Sequence, residues 1–277
     1  MMVMTASTPG DRPEPDMMTD RAHTARAYDY LLGGKDNYAA DRAIGDAAER
    51  AWPAVRLAVR ANRQFMTRAA RHFAEQGVRQ FLDIGTGIPT APNLHQVVQE
   101  SAPDARVLYV DNDPIVLAHA AALMSGDRRG RTAYLQADAR DPQAILDSAE
   151  VADLFDLTEP VALSVIGLLH FLDDEVATRL VRTVLDAVPS GSCVALSQIT
   201  LDLDRETVLG AAAGYAGGGV QTHLRSKEQI QDLFLGGLDV LDPGIVVVHR
   251  WRPAPGAIMD EVPDAKISVY GVAARKP

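Results

Sequence analysis

The sequence has almost no cysteine and no long apolar run. Cys193 is the only cysteine among 277 residues, which excludes an intramolecular disulfide and makes a reducing compartment the simpler interpretation. No segment approaches the roughly 18 apolar residues of a membrane-spanning helix. The first residues also lack the basic-then-apolar layout of a signal peptide. We therefore expect a cytoplasmic protein with no membrane partner.

Basic side chains are in the minority, with 27 Lys and Arg against 37 Asp and Glu. Residues 81–277 carry 15 basic and 27 acidic side chains, whereas residues 1–80 carry 12 and 10. An acidic domain repels a phosphate backbone, so we expect no nucleic acid as the main partner. One face of a predicted helix carries Arg56, Arg60 and Arg63. Our first interpretation is a solvent-exposed arginine stripe, and the second is a binding site for a substrate anion.

The chain divides into three parts by pattern. Residues 1–19 are rich in Pro, Asp and Met without periodicity, and we expect them to be disordered. Residues 20–77 predict three helices, at about 21–32, 39–51 and 53–76, which together form an extension that folds over the sheet as a lid. Residues 78–277 predict the main domain.

The rest of the chain is organised around residues 79–90, RQFLDIGTGIPT. Residues 80–84 predict a buried strand, and Gly85 and Gly87 predict a tight turn close to a ligand. We expect Pro89 and Pro92 to stand in the first turn of the next helix, whose free N–H groups would face that ligand.

The residues around the glycine turn distinguish between two nucleotide cofactors. A dinucleotide site requires a third glycine three residues after Gly87, and that position is Thr90. Asp83, two residues before Gly85, suits a ligand with a cationic amino group. The pattern therefore favours S-adenosylmethionine (SAM), which has no phosphate, over NAD, while an ordinary strand-to-helix turn remains the plain alternative.

Strands and helices alternate over residues 80–200, which predicts right-handed βαβ units and a doubly wound α/β sheet. Asp111 ends the second predicted strand, 24 residues after Gly87, where a carboxylate accepts hydrogen bonds from ribose hydroxyls. Asp138 follows the third predicted strand and could accept from an adenine amino group, although on local grounds alone a turn-forming aspartate is the favoured interpretation.

Several blocks of this sequence resemble a bacterial family of SAM-dependent methyltransferases that was long known only as a domain of unknown function. The longest blocks are too long to arise by chance. The blocks are residues 28–38, 62–63, 79–90, 109–114, 169–171 and 251–253. The resemblance covers about residues 22–277.

The resemblance implies a class I methyltransferase fold, which is Rossmann-like, with a mostly parallel sheet of seven strands, the last antiparallel, and an N-terminal helical extension. It implies that SAM is the cofactor and leaves the substrate open. It also implies three groups of cofactor-binding residues: Asp83, Gly85, Thr86 and Gly87 at the methionine end, Asp111 and Asn112 at the ribose, and Asp138 and Ala139 at the adenine.

The catalytic side of the site is less defined. Residues 197–198 read Ser-Gln where family members more often have Ser-His, so the resemblance transfers no histidine base. We name His170, after the fourth predicted strand, together with Tyr30 and Tyr38 as residues that could face the acceptor. A hydrogen-bonded structural histidine and core aromatic residues are the plainer interpretations. We predict no metal site.

We expect a methyltransferase that acts on an unidentified small molecule. A non-catalytic SAM-binding regulatory or accessory protein is the first alternative, since the sequence shows no clear general base. An NAD-dependent oxidoreductase is the second. The oligomeric state is left open.

Overall fold

The computed structural model describes residues 19–116, 130–254, 256 and 258–277. The stretch predicted to be disordered, residues 1–19, lies outside these ranges except for Thr19. Most of the helix predicted after Pro114 also lies outside them. In the ranges described, no helix is both long enough and apolar enough to cross a bilayer.

Three helices precede the sheet, as the spacing of apolar residues predicts. They are α1 (Thr24–Leu32), α2 (Ala39–Ala51) and α3 (Val55–Glu75). α1 ends at Gly33, whose φ of 90° lies in the left-handed region that glycine adopts without strain. The carboxylate of Asp41 accepts hydrogen bonds from the backbone N–H groups of Tyr38 and His23, both at 2.8 Å. Asp41 therefore ties the starts of α1 and α2 together.

Five parallel strands form the centre of the sheet in the order β3-β2-β1-β4-β5. They are β1 (Gln80–Ile84), β2 (Arg106–Asp111), β3 (Arg131–Gln136), β4 (Val161–Val165) and β5 (Cys193–Ile199). The order reverses between β1 and β4, and the crevice beside the C-terminal strand ends at such a point is where ligands bind in this architecture. The doubly wound, mostly parallel α/β sheet is thus confirmed.

The remaining strands are β6 (Asp239–Val240), β7 (Val246–Val247) and β8 (Val269–Arg275). β8 runs antiparallel to β5, and β6 and β7 pair with opposite ends of β8. Within the described residues the sheet has eight strands, whereas seven were predicted. The outermost strand is interrupted at Pro243, which has no N–H to donate, and at Gly244, whose φ is 81°.

Shorter helices connect and flank the strands. They are α4 (Leu94–Ser101), α5 (Pro142–Leu146), α6 (Ala149–Leu154), α7 (Asp174–Asp186), α8 (Arg205–Gly217), α9 (Lys227–Phe234) and α10 (Asp264–Ile267). Side chains at their starts satisfy backbone N–H groups that the helix leaves unpaired: Asp173 accepts from Val176 N at 2.8 Å. Ser226 and Gln229 form a capping box at the start of α9.

Helix α3 belongs to the same hydrophobic core as the sheet. Its buried residues recur every three or four positions and include Ala58, Ala61, Phe65, Ala69 and Phe73. The ring of Phe65 meets that of Trp251 edge to face, with centroids 5.5 Å apart. Arg68 donates to the backbone carbonyls of Trp251 and Val248, both at 2.7 Å. The third helix of the extension is therefore built into the core of the main domain.

A buried arginine, Arg225, fixes the loop after α8 to the end of β5 and to the loop after β4. The guanidinium of Arg225 donates to the carbonyls of Leu169 and Leu172, both at 2.7 Å, and to Oε1 of Gln198 at 3.0 Å. Nε2 of Gln198 donates in turn to the carbonyl of His223 at 2.9 Å. Both side chains are buried, so the polar pair joins two loops at the edge of the sheet that carries the cavity described next.

Replacing Arg225 with Met should lower the free energy of unfolding by about 2–6 kcal/mol, since the Leu172 carbonyl and Oε1 of Gln198 would both lose the donor that Arg225 provides, and each loss costs about 1–3 kcal/mol. Urea unfolding followed by circular dichroism measures the change. Arg182→Met, at an exposed position on α7, is the matched control and should change stability by less than about 0.5 kcal/mol. Equal unfolding midpoints for the two variants would contradict the role of Arg225.

Candidate functional site

A cavity of about 450 Å³ lies at the C-terminal ends of β1, β2, β3 and β4. This volume is in the range of about 300–1,000 Å³ that is usual for small-molecule sites. The cavity brings together all the residues that were predicted to bind the cofactor: Asp83, Gly85, Thr86, Gly87, Asp111, Asn112, Asp138 and Ala139. Residues before and within α1, from Ala22 to Tyr28, and two residues of α3 complete its wall.

The glycine turn after β1 is held by backbone hydrogen bonds to β2. The N–H groups of Gly85 and Thr86 both donate to the carbonyl of Val110, at 2.8 and 3.2 Å. Gly85 has a φ of 74°, and a Cβ placed there would lie 2.9 Å from the side chain of Leu168. Gly87 has a φ of 68°. The turn therefore needs glycine for its backbone conformation and, at Gly85, also for its close contact with the loop after β4.

The prediction for the helix after this turn was wrong. α4 begins at Leu94, so Pro89 and Pro92 lie before the helix rather than in its first turn. The backbone N–H of His95 donates to the hydroxyl of Tyr109 at 2.8 Å. Residues 89–96 do not line the cavity. The backbone N–H groups at the start of α4 thus find partners within the protein. The backbone that faces the cavity is that of the glycine turn.

Asp83 and Arg63 form the charged end of the cavity. Asp83 is buried, and burial raises the pKa of its carboxyl above the ordinary value of 3.8, although the nearby Arg63 guanidinium opposes the increase. Arg63 also donates to the carbonyls of Thr90 and Pro92. Among the described residues, none provides a partner for its buried Nε. Of the predicted arginine stripe, Arg63 therefore reaches the cavity.

Asp111 connects the end of β2 to the glycine turn. Its Oδ2 accepts from the N–H of Gly87 at 2.8 Å, and its Oδ1 accepts from the N–H of Asp113 at 3.0 Å. Burial raises the pKa of the Asp111 carboxyl, and these two backbone donors lower it. Asn112, beside it, is exposed at the rim. The carboxylate is thus positioned before any ligand binds.

Helix α1 is held against the end of β2 by buried charges. Nδ1 of His23 lies 3.1 Å from Oδ2 of Asp113, and Nε of Arg26 lies 3.5 Å from the same oxygen. Nε of Arg26 also lies 3.4 Å from Oδ1 of Asp41. Arg26, Asp41 and Asp113 are almost fully buried. These contacts keep α1 in place as one wall of the cavity.

Asp138 and Ala139 form the opposite end of the cavity, after β3. Oδ1 of Asp138 accepts from the backbone N–H of Arg140 at 2.9 Å, which is the turn-forming bond of the plainer interpretation. The side chain is 45% exposed and pairs with the guanidinium of Arg140. It therefore remains accessible to a ligand at the rim.

The residues predicted to face the acceptor lie in different places. His170 is buried and lines a second, smaller cavity next to the first. Burial and the charge of Arg225 lower the pKa of His170 to about 3. The hydroxyl of Tyr30 donates to Asp46 on α2, and Tyr38 is 37% exposed beneath Arg26. Neither tyrosine lines a cavity among the described residues, and Gln198 does not either.

Several residues of the cavity wall were not assigned from the sequence. His23 comes from the start of the helical extension, and Gly219, Val220 and Gln221 come from the loop after α8. Asn62, beside Arg63 on α3, contacts the second cavity. The signals for α3 were the Asn-Arg pair among the family blocks and the arginine stripe, and neither placed these residues at the cofactor cavity, because residues distant in sequence meet here only through the fold.

Comparison with known proteins agrees with this geometry. A sequence profile of the S-adenosyl methyltransferase family matches residues 11–277. None of the curated proteins compared with the chain matches it.

The solved structures similar to this chain include the following three. A DUF574 family protein from Streptomyces avermitilis MA-4680 is 49% identical with a TM-score of 0.91, and the match covers 94% of this chain and 100% of that one. A candidate methyltransferase from Thermobifida fusca YX is 35% identical with a TM-score of 0.87, covering 95% and 98%. Magnesium protoporphyrin IX methyltransferase from Synechocystis PCC 6803, with bound S-adenosylhomocysteine, is 13% identical with a TM-score of 0.50, covering 91% and 93%; it supports the fold alone.

The chain belongs to the S-adenosyl methyltransferase family, which confirms the resemblance carried by the sequence blocks. It is a SAM-dependent methyltransferase, and SAM is its cofactor. The choice of SAM over NAD from the residues around the glycine turn is thereby confirmed.

Replacing Asp83 with Asn should stabilise the cofactor-free protein at pH 7. Because the pKa of Asp83 is higher in the folded than in the unfolded state, the folded protein binds the proton more tightly. This contribution to stability is complete below about pH 4 and is lost as pH rises through the folded-state pKa. The variant should therefore gain stability relative to wild type between pH 4 and pH 7 in urea unfolding.

The exposed Asp232→Asn variant is the control and should show no such gain. A stability difference between Asp83→Asn and wild type that does not change with pH would contradict the burial of an ionised carboxylate at this position.

Proposed function

We propose that this protein transfers the methyl group of SAM to a small molecule, with the larger cavity as the cofactor site. One observation carries the proposal: the fold places two buried carboxylates, a glycine turn and the buried Nε of Arg63 around one cavity. The residues fit the cofactor, since an Nε without a partner among the described residues suits an anion and the buried Asp83 suits a cation.

At the methionine end, Asp83 would hold the amino group and Arg63 the carboxylate. Arg63 already donates to the carbonyls of Thr90 and Pro92, and these bonds position its guanidinium. Its Nε remains for a ligand. The N–H groups of Gly85 and Thr86 donate to the carbonyl of Val110. The turn would therefore contribute to ligand binding mainly through its shape and less through hydrogen-bond donors. A cationic amino group beside Asp83 would offset the burial of this carboxylate.

At the nucleoside end, Asp111 would accept from the ribose hydroxyls, with Asn112 beside it. Both carboxylate oxygens of Asp111 are oriented by backbone N–H groups, which fixes their position without using all their lone pairs. Asp138 and Ala139 would border the adenine at the rim of the cavity. Thr86, whose hydroxyl donates to the carbonyl of Asp83 at 3.0 Å, stiffens the turn between the two ends.

Bound SAM supplies an activated methyl group on a sulfonium that is its own leaving group. The protein therefore needs to align the acceptor and to exclude water, and alignment alone accounts for a large part of such rate enhancements. The wall formed by α1, tied to Asp113 through His23 and Arg26, shields the cavity. Within the extension predicted as a lid, residues 20–77, we therefore assign the covering role to α1, while α3 anchors the extension in the core.

No general base is assigned. A histidine with a pKa of about 3, as at His170, is a weak base at neutral pH. The acceptor nucleophile would use its own lone pair, and its proton, where it has one, would leave to water. This favours an acceptor that is already nucleophilic in its neutral form.

Arg63→Met should weaken S-adenosylhomocysteine binding by about 10–100-fold, since a charge-assisted hydrogen bond contributes about 1.5–3 kcal/mol and 1.4 kcal/mol is a factor of ten. Methylthioadenosine, which lacks the amino-acid arm, should bind the variant within about twofold of wild type. Isothermal titration calorimetry measures both ligands.

Arg60→Met, at an exposed position one turn earlier on α3, is the matched control and should bind both ligands normally. Equal weakening of both ligands by Arg63→Met would show that Arg63 supports the turn and does not hold the carboxylate.

Methyl transfer is tested by incubating the protein with methyl-labelled SAM and a whole bacterial extract, and then separating small molecules from protein and nucleic acid. We expect label in a small molecule, detected by chromatography and mass spectrometry. The Gly85→Val variant should transfer none, because the turn cannot form with a side chain against Leu168. Label in protein or nucleic acid would contradict the substrate class. Tight cofactor binding without any transfer would favour the non-catalytic alternative.

A further inference from the structure

The second cavity is a small chamber of about 60 Å³ beside the cofactor cavity. Helices α1, α2, α3 and α8 and the segments after β4 and β5 form its walls. Thr24, Tyr28 and Phe171 line both cavities, so the two spaces meet at these side chains. We call this space the acceptor chamber.

The walls of the acceptor chamber carry no Asp, Glu, Lys or Arg side chain among the described residues that line it. Most lining residues are aliphatic, and Tyr28, Trp52, Phe171 and Tyr215 add aromatic surface. A charged group moved from water into such a space without a partner loses far more solvation than it regains. The chamber is therefore suited to an uncharged, apolar group.

Asn62 offers one hydrogen-bond acceptor in this apolar space. The Tyr28 hydroxyl has a single proton, which it donates to the carbonyl of Val59 at 3.0 Å. It must therefore accept from Nδ2 of Asn62, 3.2 Å away, and this fixes the orientation of the amide. Oδ1 of Asn62 is left without a partner among the described residues, although the side chain is only 4% exposed. A buried acceptor in this state calls for a donor.

His170 offers a second polar atom. Its side chain is 6% exposed, and in the part of the chain that the structure describes its Nδ1 has no hydrogen-bond partner. The lowered pKa of His170 keeps the ring uncharged at neutral pH. An uncharged ring in an apolar wall can make one hydrogen bond to a ligand without introducing charge.

Asn62 lies beside the loop that follows β4. Gly167, in this loop, lines the cofactor cavity. A Cβ placed on Gly167 would lie 3.3 Å from Nδ2 of Asn62 and 3.8 Å from the ring of Tyr28. β4 pairs with β1, which carries Asp83, whereas Asp138 follows β3 on the other side of β1. With the methionine end held at Asp83 as proposed, a group in the chamber would lie on the side of the cofactor that carries the reactive methyl.

We propose that the acceptor chamber binds the methyl acceptor, and that this acceptor is an uncharged, mainly apolar small molecule with a hydroxyl or N–H group that donates to Oδ1 of Asn62. The inference rests on the proposed function and adds the class of substrate to it. The chamber is smaller than the cavity of about 150 Å³ that holds benzene in another protein. Only the leading part of the acceptor enters it, and the rest lies in the larger cavity.

The test uses four ring probes of similar size on the complex of the full chain with S-adenosylhomocysteine. Phenol has one donor and no charge, toluene has no donor, and benzoate and benzylammonium are charged. Ligand-observed NMR titration should show phenol binding about three- to tenfold more tightly than toluene, because of one additional hydrogen bond. The two charged probes should not bind. A crystal of the phenol complex should show the hydroxyl in the chamber at Oδ1 of Asn62 and the ring at the junction with the larger cavity, beside Tyr28 and Phe171.

Ala212→Leu fills the chamber from α8, and Ala213→Leu adds the same group on the exposed face of that helix. Phenol affinity should fall about tenfold or more in Ala212→Leu and stay unchanged in Ala213→Leu. S-adenosylhomocysteine affinity, measured by calorimetry, should stay unchanged in both and serves as the check on folding.

The outcomes separate the two proposals. If S-adenosylhomocysteine binds but no probe enters the chamber, or if a charged probe binds there more tightly than phenol, the acceptor class is wrong and the proposed function stands. If phenol binding is equal in Ala212→Leu and Ala213→Leu, the chamber is not its site. Failure of the wild-type protein to bind S-adenosylhomocysteine overturns both proposals.

Discussion

The structure depends on burying two carboxylates next to each other at the open end of a parallel sheet. Asp83 and Asp111 end neighbouring strands, and burial raises the pKa of both. Desolvated like charges are unfavourable unless donors or cations face them. Backbone N–H groups face Asp111, and Arg63 lies near Asp83, so the protein offsets this cost only in part. The part of this free-energy cost that the protein does not offset favours a cationic ligand, such as a sulfonium nucleoside with an amino group.

Much of the fold follows from local sequence signals. Apolar spacing and capping residues locate α1, α2 and α3, and the run of buried residues in β1 marks a strand covered on both faces. The start of α4 was missed because Pro89 and Pro92 read as helix starts, whereas Asn93 and the Tyr109 hydroxyl provide the start. The division of the outermost strand into β6 and β7 was missed too, because two-residue pairings leave no periodicity to read.

The cofactor side of the site was more predictable than the acceptor side. Residues such as Asp83 and Asp111 occupy fixed positions at strand ends, so the sheet alone brings them together. Tyr30 and Tyr38 were predicted from the chemistry of their side chains, although nothing in the sequence fixes where they lie. Helix packing directs them toward Asp46 and Arg26 instead. Gln198 was interpreted as a lost base, but its amide bridges Arg225 and His223. Such long-range contacts depend on tertiary structure and leave no local signal.

The interrupted outer strand has a consequence for how copies of this protein meet one another. A long, flat edge strand exposes a row of backbone N–H and C=O groups onto which a second chain can pair. Here Pro243 lacks an N–H, and Gly244 turns the backbone between β6 and β7. This edge of the sheet therefore offers short pieces instead of a continuous template, which disfavours the pairing of a second chain along it.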